Sequence, residues 1–395
     1  MKPKQLLITL IVAVLVLGLV FFLLDKDSKK LSAGGDNIGS PILKDLPVNN
    51  IDSISVKKGE SALFSLSRSG DNWKVVSSYD YPADFAKIRN FISVLSELTV
   101  SQNVIADQSD LDRLGLGKSG DGIGTFIELS GKGGKIASLL VGKQHLRKGT
   151  TQQDIDSEWP DGRYVFVTGK NQAAVVGSPM AELDTPSSEW LDRDFISAKD
   201  MRVASLFQVE KGKWTLSRSD ANGELAPSKI PEGKELDKNK MNMIANSLYT
   251  IRFADVANPA LSLAETGIDK PSIFAAEMFS GKKYEVLIGA KKDTFRYVKV
   301  KVEFQPQPPV KKDENAKEED KAKEELKAKE AVEKAKKEVE VENAKFAKWT
   351  YLIPENSLAA MLSTPDDFYK KPKAENPANP GKGKLPPGVM QFQPK

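Results

Sequence analysis

The amino-acid sequence predicts an α+β protein that carries one N-terminal transmembrane helix before two related, mainly antiparallel β-rich repeats. An uninterrupted apolar run fills residues 6–24, which indicates the membrane helix. Short segments in which apolar and polar residues alternate, typical of half-buried strands, recur through the rest of the chain. Similar short motifs appear in the same order in both halves, which predicts an internal duplication.

The apolar run LLITLIVAVLVLGLVFFLL has no charged residue and, as a helix, would extend about 28 Å, close to the thickness of a bilayer core. A cleavable signal peptide has a shorter apolar region followed by small residues, whereas Asp25 follows this one directly. We therefore predict a retained single-pass anchor at residues 6–24, a cytoplasmic tail at 1–5 and a flexible tether at 25–41. Lysines lie before and after the apolar run in nearly equal number, so their distribution does not decide the orientation of the helix. We predict the simpler arrangement, with the short N-terminal tail in the cytoplasm and the long remainder outside.

The composition excludes several classes of function. Lys and Arg number 58 and Asp and Glu number 54, so no basic excess indicates a nucleic-acid partner. The absence of cysteine excludes disulfides, thiolate metal sites and thiol nucleophiles. The single histidine, His145, excludes two-histidine metal sites, and we place it on the surface in the loop after Gly142. We predict no catalytic residue, no cofactor and no metal, and the sequence does not indicate an oligomeric state.

The duplication rests on collinear matches between the two halves. The tetrapeptide Leu-Ser-Arg-Ser occurs at residues 66–69 and again at 216–219. The further pairs are LDRLGL ending at Leu116 with LAETGI ending at Ile268, SGK at 130–132 and 280–282, LLVGK and VLIGA around Gly142 and Gly289, RYV at 163–165 and 296–298, and LDTP at 183–186 with LSTP at 362–365. We place the first repeat at residues 42–196 and the second at 197–369.

Each repeat is predicted to open with a β-meander, continue with an amphipathic helix and close with hairpins. In the first repeat, IDSISV, ALFSLSR and WKVV alternate as three strands, with Trp73 in the core. Apolar residues at three- and four-residue spacings then predict a helix over residues 83–98, and its counterpart is predicted over residues 238–248. The segments TFIELS, KIASLLVG, RYVFV and AAVV form the later hairpins. Trp214 is the core tryptophan predicted for the second meander.

One segment has no match in the first repeat. Residues 305–348 begin with QPQPPV and continue as a run rich in Lys and Glu, whose i,i+4 pairs each favour a helix by about 0.2–0.5 kcal/mol. Its apolar residues keep no heptad, so a solitary charged helix or partial disorder is favoured over a coiled coil. The segment is either an arm that meets a partner or an insertion tolerated at a hairpin tip, and the sequence favours the insertion. Residues 370–395, rich in Pro, Gly and Lys, are predicted to be a disordered tail.

Other candidate motifs have structural interpretations. The clusters Gly117-Lys118 and Gly131–Lys135 lack the spacing of a phosphate-binding loop, and we interpret both as turns. The acidic group that contains Asp107, Asp110 and Asp112 is interpreted as a helix start, with Ser109 or Asp110 as the N-cap.

The segment WLDRDF between the repeats is the candidate interaction site. Asp192 and Asp194 flank Arg193 beside Trp190, a pattern that can serve acid–base chemistry or grip a ligand. The same pattern also fits a linker that packs its apolar residues while its charges pair with each other or with solvent. The sequence favours the linker.

These motifs together resemble the DUF4340 family of bacterial membrane-anchored proteins. The resemblance is carried by the N-terminal MKPKQLLITLIVAVLVLGLV, by LKDLPVNNIDSISVKKG, SRSGDNWKV and YPADFAKIRNFISVLSELTV, and by LDRLGLG and WLDRDF. It covers nearly the whole chain except the charged insertion and the tail. It implies a two-repeat architecture in the bacterial inner membrane with most of the chain in the periplasm, but no established activity. Its members are similar in setting to proteins that accompany ABC-type exporters and gliding-motility-like transport systems.

We therefore expect an extracytoplasmic accessory or scaffold protein that is not an enzyme. Its expected partners are the membrane, through residues 6–24, and envelope or ABC transporter proteins. The alternative is a ligand-binding module that uses the cleft between the repeats. An enzyme that depends on carboxylates such as Asp192 and Asp194 is the third possibility, and no feature of the sequence requires it.

Overall fold

The computed structural model describes residues 37–106, 108–118, 120–148, 158–167, 172–209, 212–305 and 318–370. The predicted anchor, most of the tether, Asp107, the start of the charged insertion and the tail after Lys370 lie outside these ranges. Within them, the structure contains no helix that combines the length and the apolar character needed to cross a bilayer.

The described strands run antiparallel to their neighbours. In chain order they are β1 (Ser53–Lys58), β2 (Ser61–Ser69), β3 (Asn72–Val75), β4 (Tyr81–Pro82), β5 (Val100–Val104), β6 (Thr125–Gly131), β7 (Gly134–Lys148), β8 (Glu158–Val167), β9 (Gln172–Val176), β10 (Met201–Gln208), β11 (Gly212–Ser217), β12 (Asp255–Val256), β13 (Ser272–Met278), β14 (Lys282–Lys292), β15 (Phe295–Phe304) and β16 (Tyr351–Pro354).

The α-helices are few and mostly short. They are α1 (Phe85–Glu97), α2 (Gln108–Arg113), α3 (Lys238–Ala245), α4 (Ser247–Thr250), α5 (Leu263–Thr266) and α6 (Glu318–Phe346). The predicted α+β class with mainly antiparallel sheets is therefore confirmed.

The strands form two sheets whose orders correspond. The nine-stranded sheet has the order β4-β3-β2-β1-β6-β7-β8-β9-β5, and the seven-stranded sheet has the order β11-β10-β13-β14-β15-β16-β12. From β2 onward the first order is repeated strand for strand in the second. Strands β3 and β4 have no counterpart, because after β11 only a single bridge joins Ser217 to Ala226. The prediction that a three-stranded meander opens the second repeat is therefore wrong.

The chain divides into two compact units. The first unit contains Met1–Phe195 together with the short segments Phe253–Leu261 and Thr350–Leu352. The second unit contains Ile196–Arg252, Ser262–Trp349 and Ile353–Lys395.

In the first unit, α1 buries one of its faces in the core. Asp84 is its N-cap and accepts a hydrogen bond from the backbone N–H of Lys87, which satisfies a donor of the first turn. Ile88, Phe91 and Leu95 are buried, one helical turn apart, and each contributes about 1.5–3 kcal/mol through removal from water. The helix lies within the predicted span of residues 83–98.

The helix of the second unit is interrupted. Asp237 caps α3 as Asp84 caps α1, but the helix ends at Asn246 and a separate turn, α4, follows. The continuous helix predicted over residues 238–248 is therefore divided in two. Asn246 lies at the break. Its backbone angles, φ −100° and ψ 4°, are outside the ordinary helical region, and α3 therefore ends there.

The last residues of the predicted tether belong to the fold. The backbone N–H of Gly39 donates to the carbonyl of Val100 (2.8 Å), and that of Ile42 donates to the carbonyl of Leu98 (2.8 Å). Residues 37–41 were predicted to be part of a flexible connection, and this part of the prediction is wrong. The chain joins the first unit at the edge of β5, earlier than the predicted boundary at residue 42.

Candidate functional site

Trp190, the first residue of the predicted interaction site, is a core residue of the first unit. It ends a 3₁₀ turn, Ser187–Trp190, and its side chain is fully buried. Its ring lies 4.7 Å from that of Phe64 and 5.3 Å from that of Phe91, measured between centroids. Its carbonyl accepts a hydrogen bond of 2.9 Å from the backbone N–H of Asp84, at the start of α1. The turn therefore joins the helix to the sheet.

The second unit contains a matching arrangement. The carbonyl of Phe368 accepts a hydrogen bond of 2.8 Å from the backbone N–H of Asp237, at the start of α3. The ring of Phe368 lies 5.2 Å from that of Trp214, and Trp214 is buried, as predicted. Corresponding residues of the two units therefore make corresponding contacts.

Arg193 binds backbone carbonyls inside the first unit. Its Nη1 donates to the carbonyls of Phe253 (2.6 Å) and Ala254 (2.8 Å), and its Nη2 donates to that of Ser188 (2.6 Å). The guanidinium also lies 5.0 Å from the centre of the Phe253 ring. Since its donors are used in this way, Arg193 fixes the segment around Phe253 in the first unit. The sequence could not show this, because the carbonyls of Phe253 and Ala254 are far from Arg193 in the chain.

The two predicted carboxylates lie beside Arg193. Asp192 accepts a hydrogen bond of 2.9 Å from the backbone N–H of Asp194, a local turn that needs no ligand. Asp194 itself is exposed. The four predicted residues therefore lie around a backbone junction, and an acid–base role for the carboxylates stays the alternative that the sequence did not favour.

An aromatic cluster that the sequence did not predict packs beside this junction. Tyr81, Phe195, Phe253 and Tyr351 have ring centroids 4.7–6.3 Å apart. Burial raises the pKa of Tyr81 to about 12; a hydrogen bond with Tyr351 lowers it in part, and the charge of Asp192 adds to the rise. No local pattern marks this cluster, because its members come from four distant parts of the chain.

Each unit also contains an arginine–carboxylate pair. Arg163 forms two hydrogen bonds with Asp184 (2.8 and 2.9 Å), and its Nε donates to the carbonyl of Gly142 (2.9 Å).

In the second unit, Arg296 donates to Glu355 (2.8 and 3.0 Å) and to the carbonyl of Gly289 (3.3 Å). Hydrogen bonds from Lys291 and Arg296 hold the pKa of Glu355 below its usual value. The sequence matches contained both arginines and Asp184, but not Glu355. The signal that could have found the pairs is the RYV motif, in which an arginine directly precedes apolar residues within a strand.

His145 is not in a loop. It lies within β7, with its side chain 27% exposed, and its Nδ1 is 2.6 Å from Oδ1 of Asp161 on the neighbouring strand β8. The predicted loop is absent because β7 continues through a bulge after Val141 instead of ending at Gly142.

Of the two glycine clusters, Gly131–Lys135 contains the predicted turn. Gly117 forms an isolated bridge with Ile123, and the turn between β6 and β7 consists of Lys132 and Gly133. The predicted N-cap is wrong, because α2 begins at Gln108 and therefore includes Ser109 and Asp110 in its first turn.

Within the described part of the chain, no group of three or more His, Asp or Glu residues could hold a metal ion.

Helix α6, within the charged insertion, is anchored to the second sheet by polar contacts. The ammonium of Lys282, on β14, lies 2.6 Å from Glu338 and 2.8 Å from Glu342. The hydroxyl of Tyr284 donates to the other oxygen of Glu342 (2.6 Å), and the backbone N–H of Val302 donates to Asn343 (3.3 Å). We call these contacts the α6 clasp. Burial opposes the charge on Lys282, but its hydrogen bonds to Glu338 and Glu342 raise its pKa overall.

The same end of α6 contributes to the apolar core. Ala335, Val339 and Phe346 are buried, and Phe346 is only 1% exposed. This part of the helix is therefore not the solitary charged helix that the sequence favoured. The sequence prediction was wrong here because three apolar contacts among many charges are too few to form a periodic pattern.

The preceding turns of α6 are different. Every residue from Leu326 to Lys334 is exposed, and Leu326 itself is 59% exposed. We call residues 326–334 the α6 arm. A helix that is fixed at one end and exposed along its preceding turns presents a defined charged surface.

Comparison with known proteins identifies a family but no characterised relative. No curated protein matches the chain, and no solved structure matches it. Residues 73–271 match a family described as "Domain of unknown function (DUF4340)". The match covers half of the 395 residues and ends before α6. The chain therefore belongs to the DUF4340 family.

Proposed function

We propose that this protein is a membrane-anchored accessory protein of the bacterial cell envelope. Residues 6–24 would cross the inner membrane once, and the two folded units would lie on the periplasmic side. There they would bind a protein of an ABC-type or gliding-motility-like transport complex. An anchor raises the effective concentration of the units at such a complex, so that a weak contact is enough.

Helix α6 is the observation that carries this proposal. The clasp and Phe346 fix one end of the helix, while residues 326–334 are exposed. A rigid charged helix meets a partner with little loss of conformational entropy. Since the family match ends before α6, we propose that this surface serves a partner specific to this protein.

We also propose that the two units are copies of one ancestral repeat. Three observations support this: the corresponding strand orders, the matching hydrogen bonds to the carbonyls of Trp190 and Phe368, and the hydrogen bonds of Arg163 and Arg296 to the carbonyls of Gly142 and Gly289. The charged helix is then an addition to the second copy.

The anchor and its sidedness can be tested with single cysteines, because the chain has none of its own. We expect Ser61→Cys, an exposed position at the start of β2, to react with a membrane-impermeant maleimide in intact spheroplasts. Lys2→Cys, before the anchor, should react only after lysis. Recovery of the protein in the soluble fraction, or the opposite labelling, would contradict the proposal.

The partner can be tested with a photo-crosslinking residue placed at Leu326 in the full-length protein in its native membranes. We expect crosslinks to a transporter subunit, identified by mass spectrometry. Val209, which is 68% exposed and lies outside α6, is the matched control position. Equal crosslinking from both positions, or recovery of no membrane protein from position 326, would count against the proposal.

A further inference from the structure

A cleft lined by both charged and apolar residues lies within the first unit, at the end of the sheet where β1 finishes. Its volume is about 430 Å³, within the range of small-molecule sites. Lys58, Thr125, Lys143, Arg163 and Asp184 line it, together with apolar side chains. The cleft is separate from the Arg193 junction and from α6.

The floor of the cleft is rigid and electrically balanced. Arg163 is 5% exposed, and its Nη1 donates to the carbonyls of Pro179 and Met180 (3.1 Å each) in addition to its bonds with Asp184. Because this guanidinium is neutralised and fixed, it gives the floor its shape without adding net charge.

The rim of the cleft carries a positive excess. Lys58 and Lys143 are exposed, and among the residues that the structure describes neither ammonium forms an ion pair. Asp121 is the acidic lining residue that remains once Asp184 is assigned to Arg163. Two cations and one anion leave an excess of one positive charge. This excess suits a monoanion such as a carboxylate better than a phosphate dianion.

The second unit provides an internal reference for this cleft. Ile54 and Ala204 are at equivalent positions, because each pairs with the leucine of the Leu-Ser-Arg-Ser motif, Leu66 and Leu216 respectively. Four residues further along each strand, Gln208 therefore occupies the position of Lys58. There, Nε2 of Gln208 donates to Oγ of Ser272 (3.1 Å).

The position of Lys143 also differs between the two units. Lys143 follows Gly142, whereas Ala290 follows the matching Gly289. In addition, Lys291 lies 2.6 Å from Glu355, beside Arg296. The polar groups of the second unit therefore bond to one another, while the first unit has two ammonium groups available at the same place.

We propose that this cleft binds a small organic carboxylate, held between the ammonium groups of Lys58 and Lys143 above the Arg163–Asp184 floor. The apolar lining residues Leu63, Ile123 and Val141 would contact its hydrocarbon part. This inference does not depend on the proposed membrane function, because every group that it uses lies in the first unit.

The test uses the full-length protein in detergent, with N-acetyl-L-leucine as the monoanionic probe and its neutral amide as the matched control. We expect saturable binding of the acid by isothermal titration calorimetry and at least about tenfold weaker binding of the amide. Inorganic phosphate should compete less well than the acid. Equal binding of acid and amide, tighter binding of phosphate, or no binding at concentrations of about 10 mM would overturn the proposal.

The double variant Lys58→Gln/Lys143→Ala introduces the residues found in the second unit. We expect it to weaken binding of the acid by about tenfold or more. The control variant Lys44→Ala/Lys57→Gln removes the same charge from exposed positions outside the cleft, and its affinity should stay within about twofold. Unchanged thermal unfolding of both variants would show that they fold, and equal affinities would then refute the assignment.

Discussion

The phenolic hydroxyl of Tyr284 donates a hydrogen bond of 2.6 Å to the carboxylate of Glu342, and this contact joins β14 to α6. Burial and this bond both raise the pKa of Tyr284. We expect Tyr284→Phe to lower the free energy of unfolding by about 1 kcal/mol, because Glu342 loses a buried donor. Hydrogen exchange of β14 and α6 would measure the change. Tyr249→Phe, at a position that is 38% exposed, is the control, and an equal loss there would disprove a specific role for the clasp.

The two ends of α6 should respond differently to truncation. Phe346→Ala leaves a cavity in the core of the second unit, and we expect it to lower the free energy of unfolding by about 3–5 kcal/mol. Leu326→Ala removes an exposed side chain from the arm and should change stability by less than about 0.5 kcal/mol. Denaturant unfolding followed by circular dichroism would compare the two variants. Similar effects would mean that the helix is not anchored at its C-terminal end.

Gly142 and Gly289 should both resist substitution by alanine. A Cβ atom at Gly142 would lie 2.4 Å from the carbonyl oxygen of Leu114, and one at Gly289 would lie 2.2 Å from that of Thr266. We expect each substitution to cost about 2 kcal/mol, because a backbone segment has to move. Gly133→Ala, where a Cβ would meet nothing within 4 Å, is the matched control. Thermal unfolding would check these values, and tolerance at either buried position would contradict the close packing.

Arg193 should act on stability through the carbonyls that it binds. We expect Arg193→Ala to cost about 1–3 kcal/mol, because the carbonyls of Phe253, Ala254 and Ser188 lose their donor. Arg193→Lys should recover part of this loss, since an ammonium cannot reproduce the planar fork. Limited proteolysis near Phe253 would report the loosening. Arg89→Ala, at an exposed position on α1, should have little effect, and equal sensitivity would remove the special role of Arg193.

Tyr81 should make stability depend on pH in the alkaline range. Its pKa is raised from 10.0 to about 12, so the unfolded chain loses this proton at lower pH than the folded protein does. The contribution is complete below pH 10 and is lost as the pH rises toward 12, by up to about 1.4 kcal/mol per pH unit.

Tyr81→Phe should therefore flatten the decline in the free energy of unfolding between pH 10 and 12. Tyr79→Phe, at a position that is 44% exposed, should keep the decline of the parent protein. Denaturant titrations at several pH values would separate the two. Tyr284, whose pKa is also raised, keeps part of the decline in both variants. Identical slopes for both variants would show that Tyr81 makes no contribution to the decline.

The elements that could be predicted are those with a local pattern. The strands of the first repeat follow from period-two alternation, and α1 follows from apolar spacings that close one face of a helix. His145 was misplaced because a bulge lets β7 continue past Gly142, and a bulge leaves no mark in the alternation. The break after α3 was also missed, because Asn246 interrupts a helix without a proline or glycine.

The sequence by itself determined the α+β class, the family and the positions of most strands along the first repeat, because periodicity and short motifs are properties of neighbouring residues. Only the tertiary structure decided that α6 is anchored, that Arg193 binds the carbonyls of Phe253 and Ala254, and that Lys58 and Lys143 share one cleft. Each of these depends on contacts between residues far apart in the chain. Such contacts are set by how the sheets and helices pack, and no local pattern records them.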